Sequence, residues 1–241
     1  MTELDDCADL ISCNERHTAY LDKIRTFREI AIRDSIDMPE SYLPKMNKHL
    51  DYFMLETERM EALALAGNTW LNLEQLTRQI SESYLRHRLV SKQHIFNTLP
   101  VPQNGTFVNI GCGAFPDTLM YLSQHSTFEQ LIGIDISNDI IFLADTLLQT
   151  FPQRIPVQLH CTDGAMFDFS EADVIFIPGF IHENEDIINQ IKRSARRNTC
   201  LIVDHTKIFH YTHQMQKLLG HTHTYHFLLN YGTQIFSVTH I

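Results

Sequence analysis

The chain has 241 residues, with 19 Lys+Arg against 29 Asp+Glu and a formal net charge of −10. That length suits one large domain or two modest ones, and 44% apolar with 20% charged residues is the composition of a folded chain rather than a disordered or fibrous one. The negative balance argues against general binding to nucleic-acid phosphates or anionic membranes, and no apolar run approaches the roughly 20 residues that span a bilayer.

Residues 1–98 read as helices only. From Tyr20, the positions Ile24, Phe27 and Ala31 recur at helical spacing until Pro39 and Pro44 interrupt them. A second helix is predicted over 45–66, stopped by Gly67-Asn68, and a third carries Leu73, Leu76, Ile80 and Tyr84 on one stripe towards Val90. The segment is predicted to be a helical cap domain. Leu99-Pro100-Val101-Pro102-Gln103-Asn104-Gly105 reads as a linker.

After it the rhythm changes, and residues 104–241 are predicted as a second domain. Strands are predicted at 106–110, 131–135, 157–160, 172–177 and 200–203, with helices at 117–124, 139–150 and 184–195 between them. Strands and helices alternating at this pace indicate a parallel, doubly wound, Rossmann-like sheet. Runs at 223–229 and 234–239 flank Asn230-Tyr231-Gly232-Thr233, a hairpin signal. Five parallel strands and a terminal hairpin match the class I S-adenosylmethionine-dependent transferases better than the six-stranded dinucleotide dehydrogenases.

Gly111-Cys112-Gly113 lies directly between a predicted strand and a predicted helix, where glycine permits a sharp turn and close approach of a ligand. Asp135 ends the next strand, where a carboxylate accepts both ribose hydroxyls of a nucleoside, and Ile136 follows it. Asp163-Gly164 follows the third strand, where an acidic residue meets the adenine amine. Pro116 stands where a dinucleotide fingerprint has its third glycine, which disfavours a pyrophosphate on the helix N-terminus. S-Adenosylmethionine, a nucleoside without phosphates, fits better as the co-substrate. Pro178-Gly179 and His182-Glu183 follow the fourth strand near the expected mouth of the site.

The loop from Gly111 to Thr118 resembles the G-S-G-P-L-P-x-T loop of the nicotianamine synthases and their bacterial relatives that make opine metallophores of the staphylopine type. Gly111, Gly113, Pro116 and Thr118 are in matching places, and Cys112 and Ala114 stand for Ser and Pro. Residues 47–56, ending in Leu55-Glu56, are similar to the family's N-Y-x-x-L-x-x-L-E helix; 172–176 resembles Y-D-V-V-F, 207–211 resembles R-x-F-L-Y, and 235–238 resembles I-N-S-V. The similarity covers about residues 42–241 in unbroken order. It implies transfer of the 3-amino-3-carboxypropyl group of S-adenosylmethionine to the α-amine of an amino acid, histidine being the best guess, with release of methylthioadenosine. It also implies a catalytic base at Glu56, with Glu58 the nearest substitute two residues on.

The chemistry needs that base, because a protonated amine has no lone pair with which to attack, and a partly buried carboxylate has a pKa raised to a useful value. His49, Tyr52 and Glu56 share one helical face, which makes His49 and Tyr52 candidates for binding the acceptor. Tyr211 is a candidate to donate a hydrogen bond to the substrate carboxylate, Lys207 to pair with it, and Phe115 to line the pocket. The plainer readings stay open beside these: a solvated helix glutamate, a core-edge tyrosine, a surface lysine and a buried aromatic.

His205, His210 and His213 cluster in sequence and His221 and His223 lie at strand spacing, but there is no HExxH or Cys/His quartet, and alkyl transfer from a sulfonium needs no metal, so none is expected. The five cysteines, Cys7, Cys13, Cys112, Cys161 and Cys200, lack a CxxC and imply neither a disulfide framework nor a zinc cluster. With an acidic rather than basic and greasy N-terminus, they set the expectation of a cytoplasmic protein. The partners expected are a small amino-acid substrate, a second copy of the chain as a homodimer, and an opine dehydrogenase acting downstream. Two other functions remain open: a small-molecule methyltransferase on the same fold, and a silent nucleoside-binding protein whose helical half recruits a partner.

Overall fold

A computed structural model describes residues 84–179, 185–204, 223–229 and 232–241, together with Leu55, Glu58, Arg59, Ala62, Leu63 and Leu65. Glu58–Leu229 with Thr233–Ile241 form one compact unit; the other, Met1–Thr57 with Asn230–Gly232, falls almost wholly outside the described residues. In chain order the elements are α1 (Tyr84–Thr98), β1 (Thr106–Ile110), α2 (Asp117–His125), β2 (Gln130–Asp135), α3 (Asn138–Gln149), β3 (Val157–Cys161), β4 (Val174–Ile177), α4 (Glu185–Ser194), β5 (Cys200–Asp204), β6 (His223–Leu229) and β7 (Gly232–His240).

The strands form one sheet in the order β3-β2-β1-β4-β5-β7-β6. The first five are parallel to their neighbours, and β7 runs antiparallel to β5, pairing Ile202 with Val238. The predicted doubly wound sheet with its C-terminal strand pair is therefore present. Every residue of β4 and β5 is buried, as parallel strands covered by helices on both faces must be. Edge strand β3, by contrast, exposes Gln158, His160 and Cys161. The fourth strand begins at Val174 and not at the predicted 172, because Ala172 N–H closes a turn onto the Phe169 carbonyl before pairing starts.

Side chains alternate across the sheet, so β1 sends Phe107 to one face and Val108 with Ile110 to the other. Phe107 joins Ile95 and Phe96 of α1 and Leu119 and Leu122 of α2; Val108 and Ile110 join Ile187, Ile188 and Ile191 of α4. Helix α1 buries Leu89, Lys92, Ile95 and Phe96, a stripe at helical spacing that Leu99 continues just past its end. Its anchor is Phe96, whose ring lies edge-on to Phe107 at 5.8 Å and to Phe176 at 5.9 Å. Burying a ring of that size stabilises the docking by about 1.5–3 kcal/mol. One and two turns before that anchor come two cations, Lys92 and Arg88, which the same docking carries inward.

The start of β4 is tied on three sides. Asp173 Oδ2 accepts from Thr106 N–H at 2.8 Å, its own N–H donates to the Thr106 carbonyl at 2.9 Å, and its carbonyl accepts from Cys200 N–H at 2.9 Å. These bonds join β1, β4 and β5 at the end of the sheet where those strands begin.

Among the described residues no helix is long and apolar enough to cross a membrane.

Candidate functional site

The strand order reverses between β1 and β4, and in open parallel sheets ligands bind in the crevice beyond the carboxyl ends of the strands at that point. The loop leaving β1 there is held from both sides. Gly111 and Gly113 have φ of 60° and 73°, a left-handed backbone that side chains disfavour. Cys112 N–H donates to the Ile134 carbonyl at 3.0 Å, and Gly113 N–H to Asp135 Oδ2 at 3.3 Å.

Asp135 binds in two directions, since its Oδ1 also accepts from Ser137 N–H at 3.1 Å, beside the cap of α3. Burial raises its carboxyl above the usual aspartate value, and the backbone donors at Ser137, Gly113 and Ile136 restrain that rise. The half-buried carboxylate keeps lone pairs for the hydroxyls of a ribose. Two large apolar side chains stand open on the same side: Ile136, directly after β2, is 71% exposed, and Met166, in the turn after β3, is 79% exposed. That turn is shaped by Asp163, whose Oδ1 accepts from Ala165 N–H and whose carbonyl accepts from Met166 N–H, both at 2.9 Å. Gly164 lies against Ile110 and Ile187, where a Cβ would come within 3.0–3.3 Å of their side chains. Thr162 N–H donates to the Asp135 carbonyl at 2.8 Å, which ties the two strand ends together. A half-buried carboxylate, a turn with a glycine packed against the sheet and an apolar pair at the rim are features that a nucleoside site has.

Under the loop lies a carboxylate. Glu58, Arg59, Ala62, Leu63 and Leu65 are helical; Glu58, Ala62 and Leu65 are buried, while Arg59 and Leu63 on the opposite side are exposed. Ala62 packs with Ala114 and Leu143, and Leu65 with Leu89, Phe115 and Met120. This fixes Glu58 against the loop: its Oε1 accepts from Phe115 N–H at 3.0 Å, and a Cβ on Gly113 would stand 2.0 Å from it. Its Oε2 pairs with Arg88 Nη1. The same guanidinium reaches the first residue of α2, donating from Nε to Asp117 Oδ2 at 2.8 Å and from Nη2 to Oδ1 at 3.1 Å. Lys92 Nζ sits 4.0 Å from Asp117 and 5.2 Å above the Phe176 ring.

The two acids respond differently to this shared cation. Burial pushes both carboxyls up. For Asp117 the bidentate fork of Arg88, Lys92 and the Thr118 N–H overcome burial and hold it below the usual aspartate value. Glu58 receives a single arm of the guanidinium and one backbone N–H, feels the Asp117 charge as well, and stays above the usual glutamate value.

Of the residues singled out from sequence, the structure brings Gly111, Gly113, Asp135, Ile136, Asp163 and Gly164 to one end of the sheet, with half-buried Pro178 directly after β4. The side chains of four others are buried behind the loop, and for one of them, Phe115, the sequence reading is corrected. Phe115 does not line a pocket: its ring is fully buried among Leu65, Leu89 and Met120, and it serves the loop through its N–H. Cys112, Ala114 and Thr118 are likewise buried in the core behind the loop, so only their backbone is available at this turn. Burial pushes the Cys112 thiol well up, with the Asp135 and Glu58 charges adding to it, which is the condition of an inert packing thiol. Glu56, His49, Tyr52, Lys207 and Tyr211 lie outside the described residues, as does His182-Glu183. Sequence reasoning missed Arg88, Lys92, Asp117 and Met166. Arg88 and Lys92 carry a signal that was there to find, two cations at i and i+4 on the stripe that otherwise buries Leu89, Ile95 and Phe96.

No protein-family model matches the chain. The chain is 30% identical over 142 residues to the carboxy-S-adenosyl-L-methionine synthase of Idiomarina loihiensis, a match that covers 54% of this chain and 58% of that protein's length. Among solved structures, a mutant of MtNAS, a nicotianamine synthase, in complex with S-adenosylmethionine superposes with a TM-score of 0.69 at 15% identity, over 96% of each chain. An Aquifex aeolicus S-adenosylmethionine-dependent methyltransferase gives 0.52 at 13% identity, over 67% of this chain and 97% of the other. Magnesium protoporphyrin IX methyltransferase from Synechocystis with bound SAH gives 0.51 at 14% identity, over 80% and 98%. Together with the strand order and the antiparallel β7, these likenesses establish the architecture: the chain has the Rossmann-like fold of the class I S-adenosylmethionine-dependent transferases.

Proposed function

We propose that the protein moves the 3-amino-3-carboxypropyl group of S-adenosylmethionine to the α-amine of an amino acid, releasing methylthioadenosine, as a step in making a metallophore. The observation that carries this reading is the Glu58 carboxylate, buried against Gly113 of the loop that would hold the donor's methionine part. Methyl transfer to a neutral or already ionised acceptor needs no such group. Attack by an amino acid's ammonium does, because its lone pair must first be freed. Supporting it are the order of motifs shared with the nicotianamine synthases and the likeness of fold to MtNAS over nearly the whole chain.

The step balances without a further reactant. The Glu58 carboxylate takes one proton from the acceptor's ammonium, and the freed nitrogen pair attacks the donor's Cγ, about 3 Å away and in line with the Cγ–S bond. That bond breaks with its electron pair going to sulfur, so the sulfonium leaves as a neutral thioether. The new C–N bond leaves a secondary ammonium on the product, and Glu58 returns its proton to solvent. Asp135 orients the ribose, and Ile136 and Met166 cover the adenine.

The name of the Idiomarina relative favours a second reading, in which the donor itself is altered to carboxy-S-adenosylmethionine. One experiment separates the readings: incubation with S-adenosylmethionine and a mixture of amino acids, followed by mass spectrometry. Methylthioadenosine together with an aminobutyrate conjugate supports the proposal. S-Adenosylhomocysteine in its place indicates methyl transfer, and a donor heavier by one carboxyl group, formed only when a carboxyl-bearing co-reactant is added to the mixture and with no amine consumed, indicates the second reading.

A further inference from the structure

We infer that Arg88 is a positioning residue of this site: bridging Asp117 at the start of α2 and Glu58 under the loop, it holds the Glu58 carboxylate oriented at Gly113. The inference rests on the reading of Glu58 as the proton acceptor.

The geometry divides the work. The Glu58 helix is located by apolar contacts, Ala62 on Ala114 and Leu143, and Leu65 on Leu89 and Phe115. Those contacts fix the backbone but leave a long, flexible side chain to be aimed. Phe115 N–H holds Oε1, and Arg88 holds Oε2; Arg88 is itself aimed by its two bonds to Asp117 and by a backbone anchored through Leu89 and Ile95. A guanidinium suits this task because its planar fork gives one edge to Asp117 and keeps Nη1 for Glu58, and because it never loses its charge. A lysine at 88 would present a point charge, able to serve one carboxylate well but not both.

Among the described residues, the charged groups that act on Glu58 are Arg88 from α1 and Asp117 from α2; the Cys112 thiol in the loop feels the Glu58 charge, and Lys92 pairs with Asp117. At 5% exposure a glutamate alone would favour its neutral form, which is no proton acceptor. Arg88 opposes this at closest range, while Asp117 works against it. Removing Arg88 therefore leaves two buried acids facing each other, and Glu58 takes the proton because Asp117 keeps Lys92.

The test is a carboxyl titration by NMR on protein labelled with 13C-glutamate, in which Glu58→Gln identifies the Glu58 resonance. It is paired with pH profiles of kcat. Arg88→Gln is expected to move the Glu58 midpoint upward by about one pH unit or more, with the acid limb of kcat following it. Arg88→Lys, which keeps the charge and loses the fork, is expected to move it by about half a unit and to lower kcat with little change in the donor KM. Should Arg88→Gln not fold, Arg88→Lys decides alone. A wild-type midpoint in the variants that fold overturns the inference, even where Glu58→Gln abolishes turnover. Conversely, a moved midpoint together with full turnover in Glu58→Gln removes Glu58 from the chemistry while leaving Arg88's hold on it intact.

Discussion

Glu58 Oε1 lies where a Cβ on Gly113 would be, 2.0 Å from the ideal position of that atom. The carboxylate and the bare glycine are therefore one fitted pair. Gly113→Ala incurs two faults at once, the overlap and a φ of 73°. It is expected to destabilise the protein by about 1–3 kcal/mol and to weaken donor binding at least roughly tenfold. Thermal unfolding and titration calorimetry with S-adenosylmethionine measure both, and wild-type affinity would separate the loop from donor binding.

Glu58→Gln keeps the size of the side chain and its contact with Phe115 N–H, so donor binding is expected to stay within about threefold while turnover falls by roughly 10²-fold or more. Burial raises the Glu58 carboxyl from 4.5, so wild-type turnover should fail on the acid side at a higher pH than an exposed glutamate would set. A pH profile flat down to the ordinary glutamate range speaks against it.

Asp135→Ala removes the acceptor of Gly113 and Ser137 N–H as well as the proposed ribose contact. Hydrogen bonds to a charged group are worth about 1.5–3 kcal/mol, so donor affinity is expected to drop by about 10–100-fold. Calorimetry that finds the affinity unaltered would refute the ribose role.

Asp117→Asn leaves Arg88 and Lys92 facing a neutral amide, and breaking a buried pair of this kind is expected to cost about 3 kcal/mol at neutral pH. The pH dependence follows from the sign of the shift. The Asp117 carboxyl is held below 3.8, so its stabilisation is complete above that pH and drains away as the pH falls through the lowered folded value. Denaturant melts of the two proteins should therefore differ by a constant amount above pH 4 and converge only in strong acid. A gap that closes near neutrality would point to a different group.

Asp173→Ala serves as the contrasting case. It removes the acceptor of Thr106 N–H at the far end of the sheet from the loop. A loss of about 1–2 kcal/mol in stability with donor affinity unchanged is the expected outcome. A parallel fall in affinity would mean that the two ends of the sheet are coupled.

The sheet was legible because its strands are short apolar runs separated by turn residues, and the crossover helices sit at regular intervals. The first strand and the start of α2 fall where the spacing puts them. Gly113 and Asp135 were legible as a pair because both follow from the strand–turn–helix context, and a hydrogen bond joins them. Glu58 was legible only as the nearest substitute for Glu56, one acid among several in a charged helical run, for sequence does not reveal which side of such a run faces inward. Arg88 was harder still. Its meaning depends on Asp117, 29 residues later, and on Glu58, 30 residues earlier, meeting it in space, and no periodicity reports on such a meeting. Phe115 misled for a related reason, since a loop aromatic reads as pocket lining until the neighbouring helices are seen to enclose it.

The bridge through Arg88 also sets what can be trimmed from the chain. A shortened protein begun at Leu99 would still possess all seven strands and the entire turn after β1. It would lack the acid beneath that turn and the cation fastening it, leaving Asp117 with neither basic partner. Such a fragment is a complete scaffold around an unfinished cradle, so Glu58 and α1 belong to the proposed donor site and are not an appendage to it.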